Sequence, residues 1–206
     1  MKRIRVLIAD DHTIVRIGLT ALLNAESDIE VVGEAKNGDI AIKEALRLNP
    51  DVVSMDLMMP IKDGAAATVE IGEKLTPVKV IILTTFGASD GIAHALEAGA
   101  AGALMKTADD ALIVSTVRDV IAGKTVISPD IRRLMAEDPP VPNLTERQVE
   151  VLQSMTRGLT NRDIAKQLGI RQDRVDEHVA AIFKKIGAAN RAEAVAIALR
   201  KQLLKL

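Results

Sequence analysis

Val52-Val53-Ser54-Met55-Asp56-Leu57-Met58-Met59-Pro60 is an apolar run that ends in a carboxylate and is stopped at once by a proline. Its β-branched and large apolar residues follow the turn-forming Asn49-Pro50-Asp51, which predicts a short strand buried on both faces of a parallel sheet. Asp56 then stands at the carboxyl end of that strand. In open α/β sheets, ligand sites are built in the crevice beyond those ends.

Three other stretches repeat the pattern. Ile4 to Ala9 is apolar and ends in Asp10-Asp11, Val80 to Leu83 ends in Thr84, and Ala103 to Met105 ends in Lys106. Carboxylates gathered at one sheet edge push each other toward protonation. A hard divalent cation such as Mg2+, held by a few carboxylates and several waters, relieves this. A carboxylate beside a metal, a hydroxyl and an ammonium suits covalent chemistry at the carboxylate, because all three can hold the oxygens of a phosphoryl group. Each residue alone is a weak signal; Asp, Asp, Thr and Lys closing successive apolar strands is a specific one.

Between these strands the period changes. Thr13 to Ala25 carries Ile14, Ile17, Leu19, Leu22 and Leu23 at helical spacing, and Ile29 to Ala35 is a strand closed by Asn37-Gly38. Helices are predicted over Asp39 to Asn49, from the turn Lys62-Asp63-Gly64 to Leu75, over Ser89 to Ala98 and over Asp109 to Ala122. Five strands with intervening helices predict a doubly wound α/β sheet over residues 1–122.

This first part resembles a response-regulator receiver domain, with a flavodoxin-like, five-stranded parallel sheet in the order 2-1-3-4-5 as the implied fold. Asp10 and Asp11 match the acidic pair, Asp56 the phosphoacceptor, Thr84 the switch hydroxyl and Lys106 the lysine of that family. The resemblance implies that Asp11, Asp56 and the backbone carbonyl of Met58 coordinate Mg2+, that Asp10 assists through water, and that a histidine kinase supplies the phosphoryl group. It also implies self-catalysed, Mg-dependent transfer to Asp56 that is regulatory rather than enzymatic. One departure is Ala103, where the family usually carries a Tyr or Phe coupled to the switch threonine. Met58 and Phe86, two residues past Asp56 and Thr84, are both apolar and poor at orienting a hydrolytic water, so a long-lived phosphoryl group is expected.

The charge distribution separates a second module. The net charge of -1 hides a balance of -6 over residues 1–143 (15 Lys and Arg against 21 Asp and Glu) and +5 over residues 144–206 (12 against 7). Residues 123–143 read as a linker: Pro129 to Met135 can form a short helix, and Glu137-Asp138-Pro139-Pro140-Val141-Pro142 cannot continue it. No cysteine is present, which excludes disulfides and thiolate metal sites. The amino end runs straight into a strand and no apolar stretch is long enough to span a bilayer, so a cytoplasmic protein is expected.

Residues 144–206 read as four helices. Leu144-Thr145-Glu146-Arg147 opens the first, Gly158 to Asn161 is a turn with a second cap, and Ile164 to Leu168 ends at Gly169. Val175, His178, Val179, Ile182 and Phe183 then recur at helical spacing, before a last amphipathic helix from Arg191 to Leu203. This all-α module looks like the LuxR-type helix-turn-helix of the NarL/FixJ response regulators. By that resemblance Arg171 to Ile186 is the recognition helix, lying in the major groove, and the final helix pairs in a homodimer.

Composition favours duplex over single strands, because Phe86 and Phe183 are the only aromatic residues and base stacking is nearly unavailable. Arg171, Arg174, Lys184, Lys185 and Arg191 are the expected contacts to phosphates or base edges, with Val175, Asp176 and His178 beside them on the recognition helix. Asp176 takes the place of a usual lysine; a carboxylate there can accept from cytosine N4.

The expectation is a transcription factor in which phosphorylation of Asp56, acting through Thr84 and Lys106, favours dimerisation and duplex DNA binding, with RNA polymerase a further partner such a regulator can engage. Two other readings compete. One is a response regulator whose helical module binds a protein or acts without phosphate control; the other is a metal-dependent phosphatase.

Overall fold

A computed structural model describes residues 2–75, 77–85, 89–141, 144–201 and 203–204. They form two compact units, 1–139 and 140–206. Phe86 lies outside the described residues.

The first unit is a six-stranded parallel sheet in the order β2-β1-β3-β4-β5-β6. Its strands are β1 (Ile4–Ala9), β2 (Ile29–Ala35), β3 (Val52–Asp56), β4 (Lys79–Thr84), β5 (Gly102–Met105) and β6 (Val126–Ile127). Helices α1 (Thr13–Asn24), α2 (Gly38–Leu48), α3 (Gly64–Lys74), α4 (Ser89–Glu97) and α5 (Asp110–Ile121) alternate with them, and α6 (Pro129–Glu137) follows β6. The period-two pleat divides the core. Leu7, Val53, Met55, Val80, Ile82 and Ala103 face one apolar cluster, shared with α2, α3, α4 and α6. Val6, Ile8, Val52, Ile81, Leu83 and Leu104 face the other, shared with α1 and α5. Strands buried on both faces are why they read as continuous apolar runs.

Two features depart from the sequence reading. The sheet has six strands, not five: residues 123–139, read as linker, contribute β6 and α6 to the first unit. The Ser128 N–H donates to the Ala103 carbonyl at 3.0 Å, its side chain caps α6, and α6 packs on β5 with Ile131 fully buried. Second, Ile14 and Ile17 do not face the core; they are 85% and 61% exposed, and Leu19 and Leu23 carry the burial of α1. The helix has apolar residues on two sides, so periodicity gave its type and not its orientation. Within the sheet, β1 and β2 slip register between Val6 and Leu7.

The second unit consists of α7 (Glu146–Thr156), α8 (Asn161–Leu168), α9 (Gln172–Ile186) and α10 (Arg191–Arg200). Thr145 with Gln148, and Thr160 with Asp163, form reciprocal capping boxes that start α7 and α8. Gly169 and Gly187 end α8 and α9 in left-handed conformation, with φ of 63° and 70°. Val151, Leu152, Ile164, Val175, Ile182, Ile186, Ala194 and Ala198 close one core among the four helices.

Candidate functional site

Parallel register brings four strand ends level. Ala9 pairs with Met55, Asp56 with Leu83 and Thr84 with Met105, so residues just past or at these positions meet along one edge, beside the β1/β3 switch point. Asp10 and Asp56 are buried there, while Asp11 is exposed. Lys106 Nζ donates to Asp10 Oδ2 at 2.6 Å and to Asp56 Oδ2 at 2.8 Å. The His12 N–H donates to Asp10 Oδ1 at 2.8 Å, and the Met58 N–H to Asp56 Oδ1 at 3.4 Å.

One ammonium thus serves two buried carboxylates. Burial pushes the Asp56 carboxyl above the usual carboxylate range; the Lys106 hydrogen bond opposes that and the charge of Asp10 adds to it. Burial by itself would pull the Lys106 ammonium down, but its hydrogen bonds to Asp10 and Asp56 outweigh this and hold it above its ordinary value. The site keeps an excess of negative charge.

Thr84 is fully buried and its hydroxyl has no hydrogen-bond partner among the described residues. A buried polar group in that condition costs free energy unless something later satisfies it. Carboxylate oxygens of Asp10, Asp11 and Asp56 and a ring nitrogen of His12 all lie within 4.8 Å of one another. Three hard oxygen donors at that spacing fit a divalent cation of the Mg2+ type. His12 Nδ1 lies 2.7 Å from Asp11 Oδ1. His12 was not among the expected site residues, since a single histidine at a helix start has no pattern to mark it.

The loop after β3 is held close to the site. The Gly64 N–H donates to the Leu57 carbonyl at 2.9 Å, and a Cβ on Gly64 would stand 2.0 Å from the Asp56 carbonyl oxygen. In the same loop Ile61 has φ 71° and is 81% exposed. A β-branched residue there is strained, and Met58, half-exposed, lies between it and Asp56.

In the second unit the residues expected at DNA divide into three groups. Val175 is fully buried in the helical core, so it anchors α9 and is not presented to a ligand. Arg171, Arg174, Asp176 and Lys184 lie on the exposed surface of α9, and His178 and Lys185 are half-buried. Arg171 pairs with Asp173 at 2.6 Å, Arg174 with Glu177 at 2.8 Å, and Lys185 Nζ donates to Gln148 Oε1 at 2.9 Å. Arg191 is half-buried, donating to Asn161 Oδ1 at 3.1 Å and to the Leu159 carbonyl, and burial lowers its pKa from the ordinary guanidinium value. It fastens α10 to the α7–α8 turn, a role invisible in sequence because one partner is a backbone carbonyl.

Comparison with known proteins agrees with both units. Residues 6–118 match the response regulator receiver domain, and residues 142–198 match the bacterial regulatory proteins of the luxR family. The transcriptional regulatory protein LiaR of Bacillus subtilis (strain 168) is 37% identical over 98% of this chain and 99% of its own. The response regulator protein VraR of Staphylococcus aureus (strain NCTC 8325 / PS 47) is 36% identical over 98% and 99%. The crystal structure of the response regulator ChrA, from a heme-sensing two-component system, shares 34% identity and a TM-score of 0.60 over 99% of this chain and 100% of that one. The receiver sheet, the LuxR-type helical unit and relatives matched end to end together show that the chain belongs to the two-component response regulators that regulate transcription through a LuxR-type DNA-binding domain.

Proposed function

We propose that Asp56 is the phosphoacceptor and that its modification by a histidine kinase controls dimerisation and duplex DNA binding in the cytoplasm. The observation that carries this is the buried Thr84 hydroxyl, without a hydrogen-bond partner among the described residues, at the end of the strand next to the Asp56–Lys106 pair. An Asp56 carboxylate oxygen attacks the phosphorus of a phosphohistidine, the N–P bond breaks, and the imidazole leaves. Lys106, already within hydrogen-bond distance of Asp56, moves onto a phosphoryl oxygen, and the Thr84 hydroxyl donates to another. Asp10, Asp11, Asp56 and the Met58 carbonyl would hold Mg2+, which neutralises charge on the transferring group. The transfer is catalysed within the receiver and serves regulation.

On the DNA side, α9 is the recognition helix, with Arg171, Arg174, Lys184 and Lys185 toward phosphates or base edges and Asp176 and His178 beside them. Arg191 supports that surface from behind.

The test is binding of the full chain to randomised duplex DNA with and without acetyl phosphate and Mg2+. Wild-type binding is expected to tighten at least tenfold on phosphorylation, and Asp56→Asn to abolish the response while leaving basal binding. Binding that tightens equally in Asp56→Asn would remove Asp56 from the switch. The same samples report lifetime. With apolar Met58 at the mouth of the site, the acyl phosphate is expected to outlast the seconds range after donor removal, as followed by phosphate-affinity gels; decay within seconds would show that water is well oriented there.

Asp173, Asp176 and Glu177 on the outer side of α9 favour a second reading, in which this unit engages a basic protein. Salt separates the two, since a DNA reader loses affinity steeply as salt rises.

A further inference from the structure

Asp176 is fixed by a relay of side chains. The Arg191 guanidinium can only donate, so its bond to Asn161 Oδ1 at 3.1 Å turns the oxygen of that amide toward α10 and its NH2 toward α9. There Asn161 Nδ2 donates to Asp176 Oδ1 at 2.8 Å. One carboxylate oxygen is engaged, and no hydrogen bond to the other is found among the described residues. Asp176 lies on the exposed side of α9, away from Val175, Ile182 and Ile186, which hold the helix to its core.

A carboxylate is an acceptor only, and a nucleic acid surface offers it little but repulsion from phosphates. In the major groove the donors are the amino groups of cytosine and adenine. Adenine sets its amino group beside the N7 acceptor, a pattern that suits an amide. Cytosine N4 presents its donor without that neighbour and suits a single carboxylate oxygen. We propose that Asp176 is a specificity-determining residue that selects a C·G pair in the DNA site, with Asn161 and Arg191 as positioning residues. This rests on α9 being the recognition helix, as read above. The preorganised amide also accounts for an acid being tolerated on this helix: the carboxylate is oriented before DNA arrives, so less ordering is lost on contact.

The experiment is selection from a randomised duplex library by the full-length protein, as wild type and as Asp176→Ala, Asp176→Asn and Asn161→Ala, with the folded state of each checked by circular dichroism. Wild type is expected to enrich one invariant cytosine. Asp176→Ala should lose enrichment at that position alone, with affinity for the best wild-type duplex falling about 5- to 150-fold. Asp176→Asn presents a donor to the groove and should move the preference to a base with an acceptor there. Asn161→Ala should weaken the cytosine preference without changing the rest of the motif. If Asp176→Ala selects the unchanged motif with equal or tighter binding, Asp176 only repels phosphates and the proposal is wrong. If wild type retains no duplex at any salt, the DNA-binding assignment of α9 fails first and takes the proposal with it.

Discussion

Replacing Lys106 by Met is expected to cost the receiver unit about 3–5 kcal/mol at neutral pH, because it leaves Asp10 and Asp56 buried without their cation. At about 2–4 °C per kcal/mol for a unit of this size, the thermal midpoint should fall by roughly 6–20 °C. The loss has a definite pH dependence. Asp56 already has a raised pKa in the folded protein, so the fold favours its protonated form relative to the unfolded chain. Stability from such a group is fully present below the unfolded carboxylate value and is lost as pH rises through the folded value. Removing Lys106 takes away the largest opposing influence, so the variant's deficit relative to wild type should be smaller at pH 5 than at pH 8. Millimolar Mg2+ should restore part of the loss at pH 8 by supplying positive charge to the same oxygens. Melts of wild type and variant at both pH values, with and without Mg2+, decide it; a midpoint independent of pH would mean that the two carboxylates do not depend on Lys106.

The second large effect is expected at Gly64. An alanine Cβ there would lie 2.0 Å from the Asp56 carbonyl oxygen, 2.9 Å from its carbonyl carbon and 3.0 Å from Leu57 Cα. All three are backbone atoms, so no side-chain rotation relieves the clash, and the loop or the end of β3 has to move. Overpacking usually costs about 1–3 kcal/mol, and against backbone the upper end applies. The functional cost should be larger. A displacement of about 1 Å in the attacking carboxylate is worth on the order of 100-fold in rate, so Gly64→Ala should accept phosphoryl groups at least that much more slowly. Gly72→Ala is the control: its Cβ would meet only the Ala98 carbonyl oxygen, at 3.5 Å, on an α3 that gains helix propensity. Equal phosphorylation rates in the two variants would show that the close approach at Gly64 does not set the position of Asp56.

These two positions differ in how far the sequence revealed them. Lys106 closed an apolar strand, as Asp10, Asp56 and Thr84 did, and one pattern repeated four times identified the edge where they meet. Gly64 read only as part of a turn, because a glycine required for close approach looks the same in sequence as one required for bending. The missed strand β6 has two residues, too few for a period to register. Its neighbour α6 was visible as a short helix, but its packing on β5 depends on Ile131 meeting a strand that has only Ala103 at the usual aromatic position. In the helical unit the caps at Thr145, Thr160 and Gly169 were legible because capping is local chemistry. Val175 stood in the apolar stripe of its helix and was nonetheless expected at DNA, whereas the inward reach of Arg191 was not legible, since its partners Asn161 and Leu159 are distant in the chain.

The two margins of the sheet bear on how the protein avoids aggregation. Edge strands with free backbone groups can recruit another chain. Here one margin is β6, a strand of two residues followed at once by Ser128 and Pro129. The other is β2, whose pairing with β1 is offset between Val6 and Leu7 and which carries Glu30 and Glu34, both exposed. Neither offers a long, flat, uncharged ladder. Such margins disfavour backbone pairing between copies of this receiver, which tends toward irreversible assembly, and leave side-chain surfaces, where contacts can form and release, as the favoured means of association.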